Sequence, residues 1–506
     1  MKKERQIMLA ATLTFALVLG DVPAMESEGA SAPKLKDKKI TVAKGKTKTI
    51  KVKGKRIKSK KFKSTKKSVA TVTKKGKVTG KKAGSCKIKV TVKYKKTKRA
   101  RKLSTKKLTC QVKVVKKTKV TPKPTRQPNL NVTSAFTSQV ADTSVKLMKN
   151  STAGDIRGGK NVLISPESIL TAMAMSVNGA AGDTLTEMQK ALYGSLPVEE
   201  FNKNMSAYND YLVLSDSVKF HLANGIWIRN DGQESTVPDF LAGNDKYYHA
   251  KAYLEPFDNT TVKKMNDWVK TNTDGMIPSI IQKIPSTARM YLMNALAFEG
   301  RWAKQYKNNQ VKKDTFTTAS GREQTVNMLN STEHTYLKDD KATGVMKSYE
   351  GYEYAFAAIL PNKGISLEEY LAGMTGESFV KMIQSGEQKE VLTKIPEFSY
   401  DYDLNLISAL QSMGIQKAFT ESADFSKMAK TKDGKLFIDS VIHKTHIELD
   451  KYGTKAAAVT SIAMAGSAAP TEPPKEVYLD RPFLYAIVEE STGLPIFMGA
   501  VNAVTN

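Results

Sequence analysis

Cysteine is nearly absent from the sequence, which has two among 506 residues. Two thiols cannot build the dense disulfide framework of a small secreted scaffold or a zinc centre of cysteine ligands alone. Tryptophan is also scarce, with three residues. Apolar residues nevertheless make up 40% of the chain, which is enough for a packed core and excludes a wholly disordered protein. The length allows roughly two to four domains.

Acidic residues are missing from one segment. Residues 33–126 contain 39 Lys and Arg but a single acid, Asp37. The net charge of the chain is +31, so this segment supplies all of the excess and the remainder is slightly acidic. The basic character therefore belongs to one domain and not to the whole protein.

Long apolar runs are missing as well. An apolar stretch over residues 7–20 follows a basic start and precedes small residues, and it is shorter than the ~20 residues of a membrane span. This layout is typical of a secretory signal peptide, expected over residues 1–24 with cleavage after Ala24. Cleavage after Ala30 or Ala32 and a buried N-terminal helix are the alternatives. The expected mature protein is secreted and extracellular, has no transmembrane span, and is soluble or held at the cell surface by non-covalent contacts.

The basic segment alternates with period two. Apolar residues recur at 86, 88, 90 and 92, and again at 108, 110, 112 and 114, with polar residues between them. Such alternation predicts strands with one buried face. Cys86 and Cys110 fall on these faces, so a disulfide is one alternative and two reduced, buried thiols are the other. The stretches 40–49, 68–72 and 76–86 resemble bacterial immunoglobulin-like surface domains, which implies an all-β sandwich over residues 33–117.

The partner expected for this domain is anionic. Lysine neutralises phosphates, but Phe62 and Tyr94 are the only aromatics, so no stacking platform for nucleic acid is predicted. Export also argues against nucleic acid. An anionic cell-wall polymer, a mucin or another glycan, or a membrane surface are the candidate partners; a solvated, highly charged spacer is the alternative. Residues 118–133 contain three prolines and few apolar residues, which predicts an extended linker.

Helical and strand patterns mix in residues 134–506. Ser165 before Pro166 predicts a helix N-terminus, and Asp183 is predicted to begin a second helix. Strands are predicted over residues 218–228, 354–360, 436–449, 483–488 and 494–501. Because helices and strands do not alternate regularly, this pattern favours an α+β fold.

No motif for catalysis or cofactor binding is found in the sequence. It has no Gly-x-Ser-x-Gly elbow and no glycine-rich phosphate loop. Its five histidines (221, 249, 334, 443 and 446) show no metal-ligand spacing. We therefore expect no enzymatic activity, no cofactor and no metal.

The segment after Gly453 is unusual because it is long, rich in small side chains and uncharged between Ala456 and Thr471. Loops of this length inside compact domains are usually functional. The first half can alternate as a strand. A strand kept outside a sheet is one interpretation, and a solvent-exposed surface loop is the other.

Residues 134–506 resemble the serpins. The resemblance rests on motifs in the family's order at residues 161–169, 224–227, 266–269, 273–277, 294–302, 395–398, 410–414, 423–426, 481–483 and 497–499. It implies a fold with three β-sheets, about nine helices and an exposed reactive loop, and a monomeric protein. It also implies an inhibitor of serine or cysteine proteases, in which the cleaved loop inserts into the central sheet while the protease is held as an acyl-enzyme.

The loop sequence fits insertion. An inserting strand turns alternate side chains into the core, and from Thr454 onward these are Thr454, Ala456, Ala458, Thr460, Ile462 and Met464. All are uncharged, and burying an unpaired charge would cost several kcal/mol. The hinge expected from the resemblance comprises Gly453, Thr454, Lys455, Ala456, Ala457, Ala458, Val459 and Thr460. Lys451 and Lys455 stand where the family commonly has acids, which puts the family's hinge salt bridge in doubt.

The reactive bond is expected at Ser467–Ala468, counting forward from Gly453, with Met464–Ala465 as the runner-up. Counting back from Arg481 gives Thr471–Glu472 instead. Small residues at the cut favour elastase-like or subtilisin-like targets.

The resemblance also implies a polar cluster of Ser165, Ser168, Asn294 and His443 beneath the central sheet, and Trp302 where insertion begins. The alternative function is a non-inhibitory serpin scaffold that acts as a surface or glycan-binding protein through its cationic domain.

Overall fold

The structure is a computed structural model, and it describes residues 32–43, 47–97, 100–115, 130–215, 217–230, 232, 234–432, 436–454 and 473–505. The chain divides into two compact units, residues 1–125 and 126–506. The predicted signal peptide, most of the linker and residues 455–472 lie outside the described residues. Among the helices of the described residues, none is long and apolar enough to cross a membrane.

The first unit is all-β. Its strands are β1 (Lys34–Leu35), β2 (Lys39–Ala43), β3 (Thr47–Thr49), β4 (Val52–Lys53), β5 (Ile57–Ser64), β6 (Ala70–Val72), β7 (Lys77–Gly80), β8 (Gly84–Tyr94) and β9 (Ser104–Val115). They form a four-stranded sheet in the order β2-β9-β8-β5, a three-stranded sheet in the order β3-β7-β6, and the pair β1-β4. The alternating apolar residues of β8 and β9 are buried in one core, as the period-two pattern predicts.

The two cysteines are free thiols in the structure. Both are buried on the inner face, but Cys86 lies opposite Val112 and Cys110 lies opposite Ile88. The two are therefore diagonal neighbours, and diagonal positions lie farther apart than directly opposed ones. The disulfide that the sequence left open is not formed, and the alternative of two buried thiols describes the structure.

The second unit contains, within its described residues, nine α-helices. They are α1 (Ser134–Arg157), α2 (Pro166–Val177), α3 (Gly182–Tyr193), α4 (Val198–Val213), α5 (Pro238–Tyr248), α6 (Asn259–Asn272), α7 (Leu367–Gly373), α8 (Gly376–Gln384) and α9 (Ile407–Ser412). The Ser165 side chain accepts a hydrogen bond from the Ser168 N–H and caps α2, with Pro166 in the first turn. The cap predicted from the sequence is therefore present.

The strands of the second unit are β10 (Val162–Ile164), β11 (Val218–Arg229), β12 (Glu234–Thr236), β13 (Lys251–Glu255), β14 (Met290–Arg301), β15 (Val311–Thr317), β16 (Glu323–Lys338), β17 (Ala342–Ser348), β18 (Tyr354–Pro361), β19 (Glu387–Pro396), β20 (Phe398–Asn405), β21 (Ala429–Thr431), β22 (Ile442–Asp450), β23 (Gly453–Thr454), β24 (Lys475–Tyr478), β25 (Phe483–Glu489) and β26 (Pro495–Val501). The described residues form a nine-stranded sheet, a six-stranded sheet in the order β13-β11-β14-β23-β22-β20, and the pair β12-β21. This is the expected α+β architecture with three sheets.

One predicted strand begins later than expected. The sequence predicts a strand over residues 436–449, but β22 starts at Ile442. Leu436 is buried and Ile438 packs against the core, so the spacing of the apolar residues correctly indicates which side chains face the core. These residues have no ladder partner, however, and apolar spacing alone does not report ladder pairing.

Candidate functional site

The six-stranded sheet contains the start of the unusual small-residue segment. The two-residue strand β23 lies between β14 and β22. Thr454 lies opposite Gly300 of β14 on one side and opposite Leu449 of β22 on the other. The chain therefore leaves β22, turns, and begins a new strand in the middle of the sheet.

The turn between β22 and β23 requires glycine at 453. Gly453 has φ +154°, and a Cβ there would overlap the backbone carbonyl oxygen of Gly300. The Asp450 carboxylate holds the turn, since its Oδ1 accepts the backbone N–H groups of Tyr452 at 2.7 Å and Gly453 at 3.2 Å. Lys451, which stands where the resemblance implies that an acid is common, places its Nζ 3.1 Å from Asn308 Oδ1.

Thr454 is buried against an aromatic pair. It is 3% exposed, and its hydroxyl lies 2.6 Å from the hydroxyl of Tyr349. The Tyr349 ring stacks on Trp302 with 4.7 Å between ring centroids, and Trp302 Nε1 donates to the Asp450 carbonyl at 2.9 Å. Trp302 thus lies beside the point where β23 enters the sheet, which is the place the resemblance implies for it.

Beyond β23, the described residues leave a gap between the two neighbouring strands. In the part of the sheet that the structure describes, β14 and β22 form no ladder with each other. Residues 290–294 and Leu296 of β14 and residues 442–445 of β22 line a cavity of about 310 Å³. We call this gap the slot. Helix α2 contributes Ile169 and Met173 to its lining, so a side chain entering the slot would meet an apolar floor.

A polar cluster lies at the slot. His443 Nε2 accepts the Ser165 N–H at 2.9 Å. The Ser165 hydroxyl donates to the Ile496 carbonyl at 2.9 Å, and the Ser168 hydroxyl donates to Asn294 Oδ1. The structure therefore brings together all four residues that the sequence places in this cluster. Their proposed role in sheet opening stays a prediction.

His443 has an unusual environment for an imidazole. It is 6% exposed, and burial lowers its pKa to about 4 because the charged form is poorly solvated there. The ring is therefore neutral at physiological pH and acts as a hydrogen-bond acceptor. A second ionisable group, in the first turn of α2, is perturbed in the opposite direction: burial raises the pKa of Glu167 to about 7, and the hydrogen bond from Thr171 opposes this shift.

Two features of the site were not predicted from the sequence. Asn224 Oδ1 accepts from Asn294 Nδ2 at 2.9 Å, which extends the polar cluster to β11. Near Trp302, Lys347 forms a buried ion pair with Glu333 at 2.6 Å, and burial lowers the pKa of Lys347, opposed by the Glu333 charge. The burial of Lys347 could have been predicted from its position in the alternating pattern, because Val345 and Tyr349, two residues to either side, are both buried.

Within the described residues one group could supply metal ligands. His221, Asp274 and Glu299 each offer a ligand atom, and these atoms lie within 4.8 Å of one another. Glu299 already forms an ion pair with Lys219 at 2.8 Å. We therefore assign no metal to this group.

Several predicted site residues lie outside the described residues. They are the hinge residues Lys455, Ala456, Ala457, Ala458, Val459 and Thr460, the bond Ser467–Ala468, and the runner-up bond Met464–Ala465. The described chain resumes before β24, which pairs with β19 in the nine-stranded sheet. Residues 455–472 thus connect a strand in one sheet to a strand in another.

Comparison with protein families gives two matches. A family described as "Serpin (serine protease inhibitor)" matches residues 138–504. A family described as "Bacterial Ig-like domain (group 2)" matches residues 32–102. The first covers well over half of the chain, and the two matches fall in the two units described above.

Individual relatives agree with the family match. Leukocyte elastase inhibitor from Bos taurus is 29% identical over 74% of this chain and 99% of its own length. An uncharacterised serpin-like protein of Thermococcus kodakarensis is 28% identical over 67% of this chain and 80% of its own length. Among solved structures, the thermophilic serpin tengpin in its native state is similar with a TM-score of 0.70 and 39% identity, over 74% of this chain and 95% of that one.

Proposed function

We propose that this chain, which belongs to the serpin family, inhibits serine endopeptidases irreversibly by a single-use conformational trap. A target protease cleaves the segment 455–472 and is held as an acyl-enzyme. The upstream part of the cut segment then inserts into the slot as a complete strand and displaces the protease before it can deacylate. Cysteine endopeptidases with the same acyl-enzyme chemistry are a secondary target class.

The observation that carries this proposal is the position of β23. Its two residues are already paired with both β14 and β22. Beyond them, both strands present edges that are not paired with each other in the described residues. An unpaired edge is a template for a further strand, so insertion needs only to extend a strand that has already begun.

The sequence of the segment supports the same step. Alternation from Thr454 turns Ala456, Ala458 and Thr460 toward the core and Lys455 toward solvent. These inward side chains are small and uncharged, so they enter the apolar slot without the penalty of burying a charge. We infer that insertion is faster than deacylation, as an inhibitor requires.

The target class follows from the residues beside the cut. Ser467–Ala468 is the proposed reactive bond, with Met464–Ala465 as the runner-up, and residues 456–474 contain no Lys or Arg. Small or unbranched residues at this position suit elastase-like and subtilisin-like proteases and exclude trypsin-like ones. A similar protein, from Bos taurus, carries the name leukocyte elastase inhibitor.

The first 24 residues and the basic unit support a location outside the cell. We propose that residues 1–24 direct export, and that the Lys-rich domain holds the inhibitor at a surface that carries an anionic polymer. The charge of the first unit supports this tether, because a dense cluster of lysines attracts polyanions and releases their counterions.

The test is to mix the full chain with elastase, subtilisin and trypsin and to look for an SDS-stable complex. We expect a complex with elastase or subtilisin and none with trypsin. Mass spectrometry of the released C-terminal peptide then identifies the cut bond, expected after Ser467. Cleavage of the segment by every serine and cysteine protease tried, with no stable complex, would contradict inhibition and favour the non-inhibitory scaffold.

A further inference from the structure

One face of the immunoglobulin-like unit carries an unusual set of side chains. It is the outer face of the sheet β2-β9-β8-β5, opposite the face that packs on the core. Strand register places eight lysines there, all exposed: Lys39, Lys61, Lys63, Lys87, Lys89, Lys93, Lys107 and Lys113. We call this set the lysine face.

The rest of this face is polar and uncharged. The other outward positions whose side chains the structure describes are serine, threonine or glutamine: Ser59, Ser85, Thr91, Thr105, Thr109 and Gln111. Within these described positions the face holds no acid, no arginine and no aromatic ring. Its charge is therefore not compensated by neighbouring side chains.

The other sheet of the same unit provides an internal comparison. The outward residues of β3, β7 and β6 are Thr47, Thr49, Thr71, Lys77 and Thr79, with a single lysine among them. Exposed lysines also lie in the loops and at the strand ends of this unit, but of the two sheets' outer faces only that of the four-stranded sheet carries lysine at most of its described positions. The asymmetry indicates a surface built for a ligand.

The lysine face is also electrostatically unfavourable by itself. Lys63 of β5 lies directly opposite Lys89 of β8, and like charges at opposed positions destabilise a strand pair. Alternate side chains recur about every 6.8 Å along a strand, and neighbouring strands lie about 4.8 Å apart. The lysines thus form a repeating array of ammonium groups whose repulsion a polyanion would relieve.

We propose that the lysine face binds a linear polyol phosphodiester polymer, such as a chain of glycerol phosphate units. Lysine binds phosphate as a point charge, and the described face lacks arginine, whose forked side chain makes bidentate contacts with carboxylate and phosphate alike. The intervening threonine hydroxyls donate to phosphate or polyol oxygens. A face with no aromatic ring among its described side chains offers no stacking to the bases of single-stranded nucleic acid.

This inference specifies the anionic partner of the proposed tether, and it does not depend on protease inhibition. The test uses the full chain, immobilised poly(glycerol phosphate) and two variants of equal charge. The first replaces Lys61, Lys63, Lys87 and Lys89 by Gln. The control replaces Lys66, Lys67, Lys74 and Lys75, which are exposed and lie before β6 and between β6 and β7.

We expect the face variant to bind at least tenfold more weakly at fixed salt and the control variant to stay within about twofold of the wild type. Each lost phosphate contact makes the negative slope of log affinity against log salt shallower by ~0.7. The magnitude of the slope should therefore decrease by up to about 3 in the face variant. The variant removes the Lys63–Lys89 repulsion, so its melting temperature should not decrease. Both variants should inhibit proteases like the wild type, which separates this test from the proposed function.

Equal losses in the two variants would overturn the proposal, because net charge alone would then explain binding. Polygalacturonate provides the carboxylate comparison and oligodeoxythymidylate the nucleic acid comparison. If the wild-type protein binds polygalacturonate or oligodeoxythymidylate at least as tightly as poly(glycerol phosphate), the assignment to a polyol phosphodiester is overturned.

Discussion

Replacement of Thr454 by Arg tests the insertion step at the residue where insertion begins. Thr454 is 3% exposed and lies between β14 and β22. Because a buried Arg without a partner would cost several kcal/mol, we expect residue 454 to leave the sheet in the uncleaved variant, so that the cut strand must bury the charge when it inserts. The substitution also removes the hydrogen-bond partner of the buried Tyr349 hydroxyl, which costs about 1–3 kcal/mol more.

A penalty of about 3 kcal/mol on insertion would slow that step roughly a hundredfold, because each 1.4 kcal/mol is a factor of ten in rate. Cleavage by the protease would continue, but deacylation would now precede insertion. We therefore expect Thr454→Arg to be cleaved as a substrate. The assay is the number of inhibitor molecules consumed per protease inactivated, together with the yield of SDS-stable complex.

Two control variants separate charge from position. Thr454→Ser keeps the hydroxyl that contacts Tyr349 and should remain an inhibitor. Lys455→Arg changes the adjacent residue, whose side chain turns outward if the strand alternates, and should also remain one. A Thr454→Arg protein that still traps protease with the wild-type stoichiometry would refute the insertion mechanism.

Three further predictions concern the hinge and the buried groups beneath the sheet. Gly453→Ala should displace β23 and raise the inhibitor consumed per protease, whereas Gly243→Ala, in open space on α5, should not; equal behaviour of the two would contradict the steric argument. His443 has a folded pKa of about 4 and an ordinary value of 6.5, so its contribution to stability is present above pH 6.5 and is lost as the pH falls toward 4. In urea unfolding, the stability of wild type relative to His443→Gln should therefore decrease by about 3 kcal/mol over that window, and a constant difference would rule this out. Glu167 has a folded pKa of about 7 and an ordinary value of 4.5, so its contribution is present below pH 4.5 and is lost as the pH rises through 7. Glu167→Gln should accordingly gain up to about 3 kcal/mol relative to wild type between pH 4.5 and 8, and no gain would show that the carboxyl is solvated.

The strands and helices with clear periodicity could be predicted from the sequence. The inward residues of β8 and β9 follow from strict alternation, and the start of α2 follows from the Ser165 cap and Pro166. These signals are local, so one sequence is enough to read them. The strand predicted over residues 436–449 shows the limit, because Leu436 and Ile438 are apolar for packing and not for ladder pairing.

The site was only partly predictable for a related reason. Ser165, Ser168, Asn294 and His443 could be placed together because the resemblance to a family carries spatial information. The ion pair between Lys347 and Glu333 joins two strands at positions that no local pattern connects. The lysine face depends on strand order and register, which the alternation of single strands does not specify.

The most direct test of the central claim is the thermal stability of the chain before and after a single cut within residues 455–472. An inserted strand forms ladders with both β14 and β22. About ten new hydrogen bonds at ~1 kcal/mol each would raise the melting temperature of the second unit by about 12 °C, because the unfolding entropy of a unit of this size is ~0.8 kcal/mol/K. We predict such an increase in the cleaved protein. An unchanged or lower melting temperature after cleavage would show that the slot does not accept the strand, and it would contradict the proposed mechanism.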